Sequence, residues 1–324
     1  MPRRVIAIVI ALVLIAIGAL ALLAAGQGFG GALGRFERDA GRRMAAAKPK
    51  SATAETFRAT ICANSPCVLV EVGGLAFLVG AGEGAAAGLA ERGLLRADLD
   101  GVLLNDISLA SVEGLAAVQR AAFGRGRTEP LPVFGPDGLL TVIDGVNLVL
   151  AGSGGEGARL QVGTEGEDEG LAGKVVFDSG VVTIRAFAAS RGGRVYRIDD
   201  GAKSLIIAGC TASAPDVLAA ARGSRSAAAI IAAASAKLIS IETNAAAAAG
   251  VSVAAYPACM FPEDAVRAVN DARLSGGLLA PLIPSANMAA WAEAATIPAS
   301  AKLALAPAGT VMDLTGASPA VTAP

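Results

Sequence analysis

Asp106, Ser108 and Ser111 lie in one short turn, Asn105-Asp106-Ile107-Ser108-Leu109-Ala110-Ser111. The apolar stretch Val102-Leu103-Leu104 precedes it, and Glu113-Gly114-Leu115 opens a helix pattern after it. Strand, polar turn and helix in that order is a common way to place a site in an α/β protein. The turn nevertheless offers only one carboxylate and two hydroxyls. The chain has no His, the usual general base near neutral pH and the commonest metal ligand. A Ser-His-Asp or Cys-His mechanism and a His-ligated zinc are therefore excluded. Carboxylate, Lys, Tyr and Cys chemistry remain. Asp106 reads either as a general base or as a carboxylate that caps the next helix or pairs with an arginine.

Four cysteines stand at positions 62, 67, 210 and 259. Cys62 and Cys67 are close in sequence, but a zinc ribbon needs a second close pair. Cys210 and Cys259 are far apart. Buried free thiols are the expectation, with Cys210 as nucleophile or soft-metal ligand the alternative. Gly80, Gly82 and Gly84 around Glu83 suggest a phosphate loop, yet Gly-Ala-Gly-Glu-Gly lacks the P-loop lysine, so a structural turn is expected.

These residues need a scaffold, and the composition supports one. Of 324 residues, 54% are hydrophobic and 17% charged, enough for a sizeable core. The net charge of −1, without a basic stripe, gives no reason to expect a nucleic-acid partner. Arg3 and Arg4 precede an uncharged apolar run over residues 5–25. Such a run is about 31 Å long as a helix, enough to cross a bilayer core. An uncleaved signal anchor is favoured over a cleaved signal peptide. The positive-inside rule then puts the body outside, on the periplasmic or extracellular side, although the arginines of residues 34–43 oppose that bias. Residues 1–30 are thus the anchor and 31–56 a tether.

From residue 57 the pattern alternates. Strands at 67–72 and 75–79 flank Gly73-Gly74, a hairpin signal. A helix at 85–95, a buried strand at 99–105, a helix at 111–124 and, over 130–139, a strand leading into a Gly-Pro turn follow. Residues 152–173, rich in Gly and Glu, read as a flexible surface loop. The second half repeats the scheme: hairpins at 174–190 and 194–211, helix then strand at 214–235, and helix then strand at 262–284. The Ala-rich stretch 244–255 fits no element, and 291–324 reads as a tail. Two β-rich halves flanked by helices imply sheet packed on sheet with helices outside.

This order, with these local sequences, resembles the metallo-β-lactamase fold, in its exported branch similar to ribonuclease Z and arylsulfatase, over residues 57–290. The fold implied is α/β, a four-layer αββα sandwich, here after an N-terminal membrane-spanning helix. In "FLVGAGEG" Gly80 stands where the family has Asp. In "NDISLASVEGL" Asp106, Ser108 and Ser111 take the three His positions of the family's Thr-His-x-His-x-Asp-His motif, and Ala110 takes its Asp position. "PLPVFGPDGL" matches the strand and Gly-Pro segment. Arg191 falls on a later His before Tyr196-Arg197. Ala208-Gly209-Cys210-Thr211 matches Ser-Gly-Asp-Thr, and Pro281 in "LAPLIP" replaces a final His.

The resemblance implies zinc that generates hydroxide for hydrolysis. The residues here do not supply its ligands. Only Asp106 and Cys210, with Cys259, remain as weak candidates, so no cofactor is expected. The implied function is a membrane-anchored pseudoenzyme acting in binding or structure, with an unidentified small-molecule or protein ligand. A hydrolase of esters or phosphodiesters with a site rebuilt on Asp106 and Cys210 is the alternative. An Asp106–Arg191 salt bridge is expected to fill the former metal position.

Overall fold

Val68, Val70 and Val72 face one way along strand β2 (Val68–Val72), and Leu69 faces the other. The same parity divides β3 (Leu75–Val79), where Phe77 and Val79 oppose Ala76 and Leu78. Strand side chains alternate between faces, so a strand apolar at both parities must be covered on both. Gly73 and Gly74, at φ of 57° and 85°, make the two-residue turn between these strands, a geometry that glycine adopts without strain.

The computed structural model describes residues 53–63, 66–153, 156–168, 170–224, 226–233, 259–281 and 302–324, all within the compact unit Pro49–Pro324. The apolar run 5–25, most of the tether and the stretch 244–255 lie outside the described residues. Among the described residues no helix is long and apolar enough to cross a membrane.

The first sheet contains β1 (Phe57–Ile61), β2, β3, β4 (Gly101–Leu103), β5 (Leu131–Phe134), β6 (Leu160–Val162), β14 (Val311–Asp313) and β15 (Ala320–Thr322), in the order β15-β14-β1-β2-β3-β4-β5-β6. The second contains β7 (Lys174–Asp178), β8 (Val182–Ala188), β9 (Arg194–Asp200), β10 (Lys203–Ala208), β11 (Ser226–Ala233), β12 (Gly276–Pro281) and β13 (Leu303–Leu305), in the order β13-β12-β11-β10-β9-β8-β7. Both sheets are mixed. β3 to β6 run parallel, as do β10 to β13, while the hairpins are antiparallel.

One core lies between the sheets and includes Phe57, Val70, Phe77, Tyr196, Leu205 and Ile230. A second sits on the outer face of the first sheet, under helices α1 (Ala85–Glu91), α3 (Leu115–Phe123) and α4 (Leu139–Leu150). A third lies under α5 (Ala214–Ala221) and α6 (Pro262–Asp271) on the second sheet. Each fully buried Leu or Ile stabilises by about 1.5–3 kcal/mol.

Three expectations require correction. Residues 152–173 are not simply a flexible loop, because β6 pairs with β5 inside this segment. Two side-chain amides hold it. Gln119 donates to the carbonyls of Gly157 and Arg159 at 2.5 and 2.9 Å, and Asn147 makes both bonds of a strand partner with Leu160, at 3.0 and 2.9 Å. Residues 291–324 are not only a tail. β13 extends the second sheet, and β14 and β15 extend the first beyond β1. β5 ends at Phe134 and leads into the expected Gly135-Pro136 turn, and α4 begins at Leu139 after Gly138, which has a φ of 89°. The helix expected over 111–124 is broken at Glu113 and Gly114, giving a short α2 (Leu109–Val112) before α3.

Candidate functional site

β4 ends in the turn that holds Asp106, Ser108, Ala110 and Ser111. Asp106 is buried, and its Oδ1 accepts hydrogen bonds from the Ser108 amide at 2.9 Å and from the Ser108 hydroxyl at 2.5 Å. An aspartate bonded to the backbone two residues on is a turn former, and here the carboxylate closes its own loop. Ser108 precedes α2 as its N-cap, Ala110 lies within α2, and Ser111 is buried.

The Ser111 carbonyl accepts the Ala81 amide at 2.9 Å, and the Ala81 carbonyl accepts the Gly114 amide at 2.8 Å. The turn is thereby laced to the glycine-rich loop after β3. In that loop the amides of Gly80, Ala81 and Gly82 donate to the carbonyls of Leu103, Ser111 and Pro66. A phosphate cradle needs backbone N–H groups directed at the ligand, and these three are engaged within the protein. Gly80 has a φ of 75°, and a Cβ there would lie 2.5 Å from the Pro66 carbonyl oxygen, so this loop serves close packing.

Arg191 and Cys210 lie in the loops that follow β8 and β10 of the second sheet. Cys210 is not a free thiol. It forms a disulfide with Cys259, as Cys62 does with Cys67, and the described residues contain no free cysteine. Both expectations, buried thiols and residual soft ligands at Cys210 and Cys259, are corrected by this pairing. Arg191 is exposed, and its Nη1 donates to the Cys210 carbonyl at 3.4 Å. The expected Asp106–Arg191 salt bridge is absent among the ion pairs of the described residues. Asp106 instead takes its hydrogen bonds two residues away, from the Ser108 amide and hydroxyl. Pro281 closes β12 opposite Ala233. Arg191→Ala is therefore expected to change unfolding free energy by less than about 0.5 kcal/mol, as for surface substitutions in general; denaturant unfolding of the variant checks this.

The two halves do converge, but on Asn105. Its Nδ2 donates to the carbonyls of Arg194 at 2.7 Å and Ile207 at 3.2 Å, and its own carbonyl accepts the Arg194 amide at 2.7 Å. Glycine permits the approach. A Cβ at Gly209 would lie 2.5 Å from the Asn105 Cβ, and one at Gly193 would lie 2.5 Å from the Asn105 carbonyl oxygen. Tyr196 adds a second tie, its hydroxyl donating to the carbonyl of Leu104 at 2.9 Å. Burial pushes the Tyr196 phenol well above its ordinary range, which keeps it a donor rather than a base.

Arg194 also pairs with Glu165, which Lys174 meets at 2.8 Å. Burial raises the Glu165 carboxyl, but the hydrogen bonds from Arg194 and Lys174 outweigh it and hold the group below its usual value. Asn105, Arg194, Glu165 and Tyr196 were missed as site residues. The available signals were a polar residue ending an apolar strand and the glycines opposite it.

Zinc does not fit this arrangement. The Asp106 carboxylate is committed to Ser108, the Cys210 sulfur is in a disulfide rather than a thiolate, and Arg191 brings a cation. Among the described residues, no group of three or more His, Cys, Asp or Glu side chains is placed to hold a metal ion.

The fold is similar to that of solved structures. The metallo-β-lactamase fold protein YhfI from Bacillus subtilis superposes with a TM-score of 0.53 at 15% identity, covering 80% of this chain and 99% of that one. The short form of human tRNase Z gives 0.56 at 14% identity, covering 79% and 97%. The chain has the metallo-β-lactamase fold. Zn(2+)-bound PqqB from Methylobacterium extorquens is a further match, at 0.50 and 16% identity over 76% and 86%. Neither a family model nor any curated protein matches the chain. Identities this low show the fold alone.

Within that fold, the disulfide between the loop after β10 and the start of α6 spans 49 positions. Removing such a cross-link restores loop entropy to the unfolded chain, worth about 2–4 kcal/mol. The pair Cys210→Ser and Cys259→Ser is expected to lose that amount in denaturant unfolding. Peptide mapping without reductant should recover the linked peptides, and two alkylatable thiols at 210 and 259 in the oxidised protein would contradict the pairing.

Proposed function

We propose that the chain is a membrane-anchored, non-catalytic protein of the metallo-β-lactamase fold, acting in binding or structure, whose former catalytic loop is a joint between the two sheets. The observation that carries this reading is Asn105. In the turn where the fold places its reactive groups, the buried polar side chain is used to bond Arg194 and Ile207 across the sandwich. Asp106 is closed on Ser108 and Cys210 on Cys259. The apolar run 5–25 behind Arg3 and Arg4 supports the anchor. Two disulfides fit a body held in an oxidising compartment outside the cytosol. The rival reading, an ester or phosphodiester hydrolase rebuilt on Asp106 and Cys210, loses its thiolate to the disulfide.

The test is metal dependence. Chelator is expected to leave the melting temperature of the purified protein unchanged, since a ligand that binds only the folded state would raise it. Hydrolysis of generic phosphodiesters and esters is expected at background. Near-stoichiometric zinc, with turnover that disappears in Asp106→Ala, would reverse the reading in favour of the hydrolase.

A further inference from the structure

The helices on the first sheet leave part of its outer face uncovered. Among the described residues, the outer core beneath them takes Leu69 of β2 and Leu78 of β3 but no residue of β1 or β14. Phe57, Ala59 and Ile61 of β1 and Met312 of β14 face the core between the sheets. Strand side chains alternate between faces, so Arg58, Thr60 and Val311 face outward, with Thr60 opposite Val311. These three residues, the end of α1 and Leu94 after it border a cleft of about 520 Å³. That volume is within the usual range of small-molecule sites. No residue of the turn 105–111 lines it.

Its hydrogen-bond donors are held in place but not used up. Arg58 donates through Nε to Glu71 at 2.6 Å. Arg92, at the end of α1, donates through Nη1 to the carbonyls of Gly88 at 3.1 Å and Cys62 at 3.3 Å. These bonds fix both guanidinium groups. Among the described residues, Arg58 Nη1 and Nη2 and Arg92 Nη2 make no hydrogen bond. Thr60 lines the cleft although it is only 4% exposed, and its hydroxyl has no hydrogen-bond partner among the described residues. Buried polar groups are ordinarily paired, so this hydroxyl calls for a partner from the cleft.

The carboxylates nearby leave those donors available. Glu91, on the rim, is 76% exposed and 3.8 Å from Arg92. Glu71 is buried and shared between Arg58 and Arg96. Asp313, opposite Arg58, spends Oδ1 on the Thr315 amide and does not line the cleft. A donor-rich cleft takes a ligand that brings acceptor oxygens, and a guanidinium matches a carboxylate with two parallel bonds. Leu94, Val311 and Pro324 make the apolar part of the lining, which suits a ligand with an apolar body. Gly309 belongs to the same design: a Cβ there would lie 2.9 Å from Pro324 Cβ and 3.4 Å from Arg92 Nε, pressing on both sides of the lining.

We propose that this cleft binds a small organic carboxylate, its charged group between Arg58 and Arg92 beside Thr60 and its apolar body on Leu94, Val311 and Pro324. The cleft is separate from the turn 105–111, so the proposal does not rest on the anchored, non-catalytic reading above. The full chain is titrated with benzoate by calorimetry. Benzamide and inorganic phosphate serve as the uncharged and the purely anionic counterparts. Benzoate is expected to bind saturably at one site per chain, and benzamide and phosphate several-fold more weakly. Arg92→Gln is expected to weaken benzoate by about tenfold or more, the effect of a lost hydrogen bond between charged groups. Because Arg92 also holds the end of α1, two further variants are measured. Thr60→Val removes only the unpartnered hydroxyl, and Val311→Glu sets a rival carboxylate in the cleft. Both are expected to keep the circular-dichroism spectrum of the parent and to weaken benzoate several-fold. No saturable benzoate binding up to tens of millimolar overturns the site, and so does binding that is unaltered in folded Thr60→Val and Val311→Glu. Benzamide bound as tightly as benzoate overturns recognition of the carboxylate. Phosphate bound as tightly overturns the organic body and leaves a plain anion site.

Discussion

Asn105→Ala is expected to destabilise the folded body by about 2–4 kcal/mol in denaturant unfolding. The substitution removes the donor shared by the Arg194 and Ile207 carbonyls. A buried polar group left without its partner costs about 1–3 kcal/mol. Asn105 is itself buried, and its Cβ packs where only glycine fits at 209, so neither solvent nor a neighbouring side chain is placed to replace the lost amide. Asn105→Asp should be at least as damaging, because it sets an acceptor against two acceptors. Losses below about 0.5 kcal/mol in both variants would remove Asn105 as the joint and with it the main support for a structural role of the turn.

Arg96→Met should cost on the order of 3 kcal/mol. Glu71 points outward from β2 under the first sheet's helices, where it is 1% exposed, and Arg96 beside it is 2% exposed. They meet at 3.3 Å, while Arg96 also grips Asp98 with two hydrogen bonds of 2.6 and 2.7 Å. Stranding a buried charge typically costs about 3–5 kcal/mol. The lower end applies here because Arg58 also reaches Glu71, at 2.6 Å. The double variant Arg96→Met with Glu71→Met is expected to cost less than the sum of the singles, since it leaves no unpaired buried charge in that pair. A double variant as damaging as the sum would show that the two side chains do not act as a pair. Thermal and urea unfolding of the four proteins in the cycle decide it.

Local chemistry explains which parts of this architecture were readable beforehand. β2 and β3 were legible because their residues are apolar at both parities and Gly73-Gly74 marks the turn. The turn after β4 was legible because a short polar stretch separates an apolar strand from a helix start. α4 was not: Leu140, Leu148 and Val149 are apolar yet exposed, which blurs the contrast between faces from which a 3.6-residue period is read. β6 was hidden because Gln119 and Asn147, two amides distant in sequence, supply what its own Gly- and Glu-rich surroundings lack. The disulfides were misjudged because connectivity between cysteines at 210 and 259 is not written in their spacing. The Asp106–Arg191 pairing failed on a competition between local and distant partners, which a nearby serine won. The joint at Asn105 depends on the meeting of β4 with β9 and β10, and only the assembled sheets reveal it.

The place of β14 in the first sheet bears on how the chain folds during synthesis. β14 flanks β1, with Arg58 opposite Asp313; the Leu314 amide donates to the Phe57 carbonyl at 2.7 Å, and the Phe57 amide donates to Thr315 Oγ1. Phe57 and Thr315 are 258 positions apart. As the chain is made from its N-terminus, β1, β2 and β3 can form their hairpins early, but β1 waits as an open edge until β14 has emerged. Pairings of such separation slow folding, and an unpaired edge invites contact with other strands in the meantime. The sheet is finished at its first strand by a segment made some 258 positions later, so the nascent chain depends on protection of that edge until that segment has emerged.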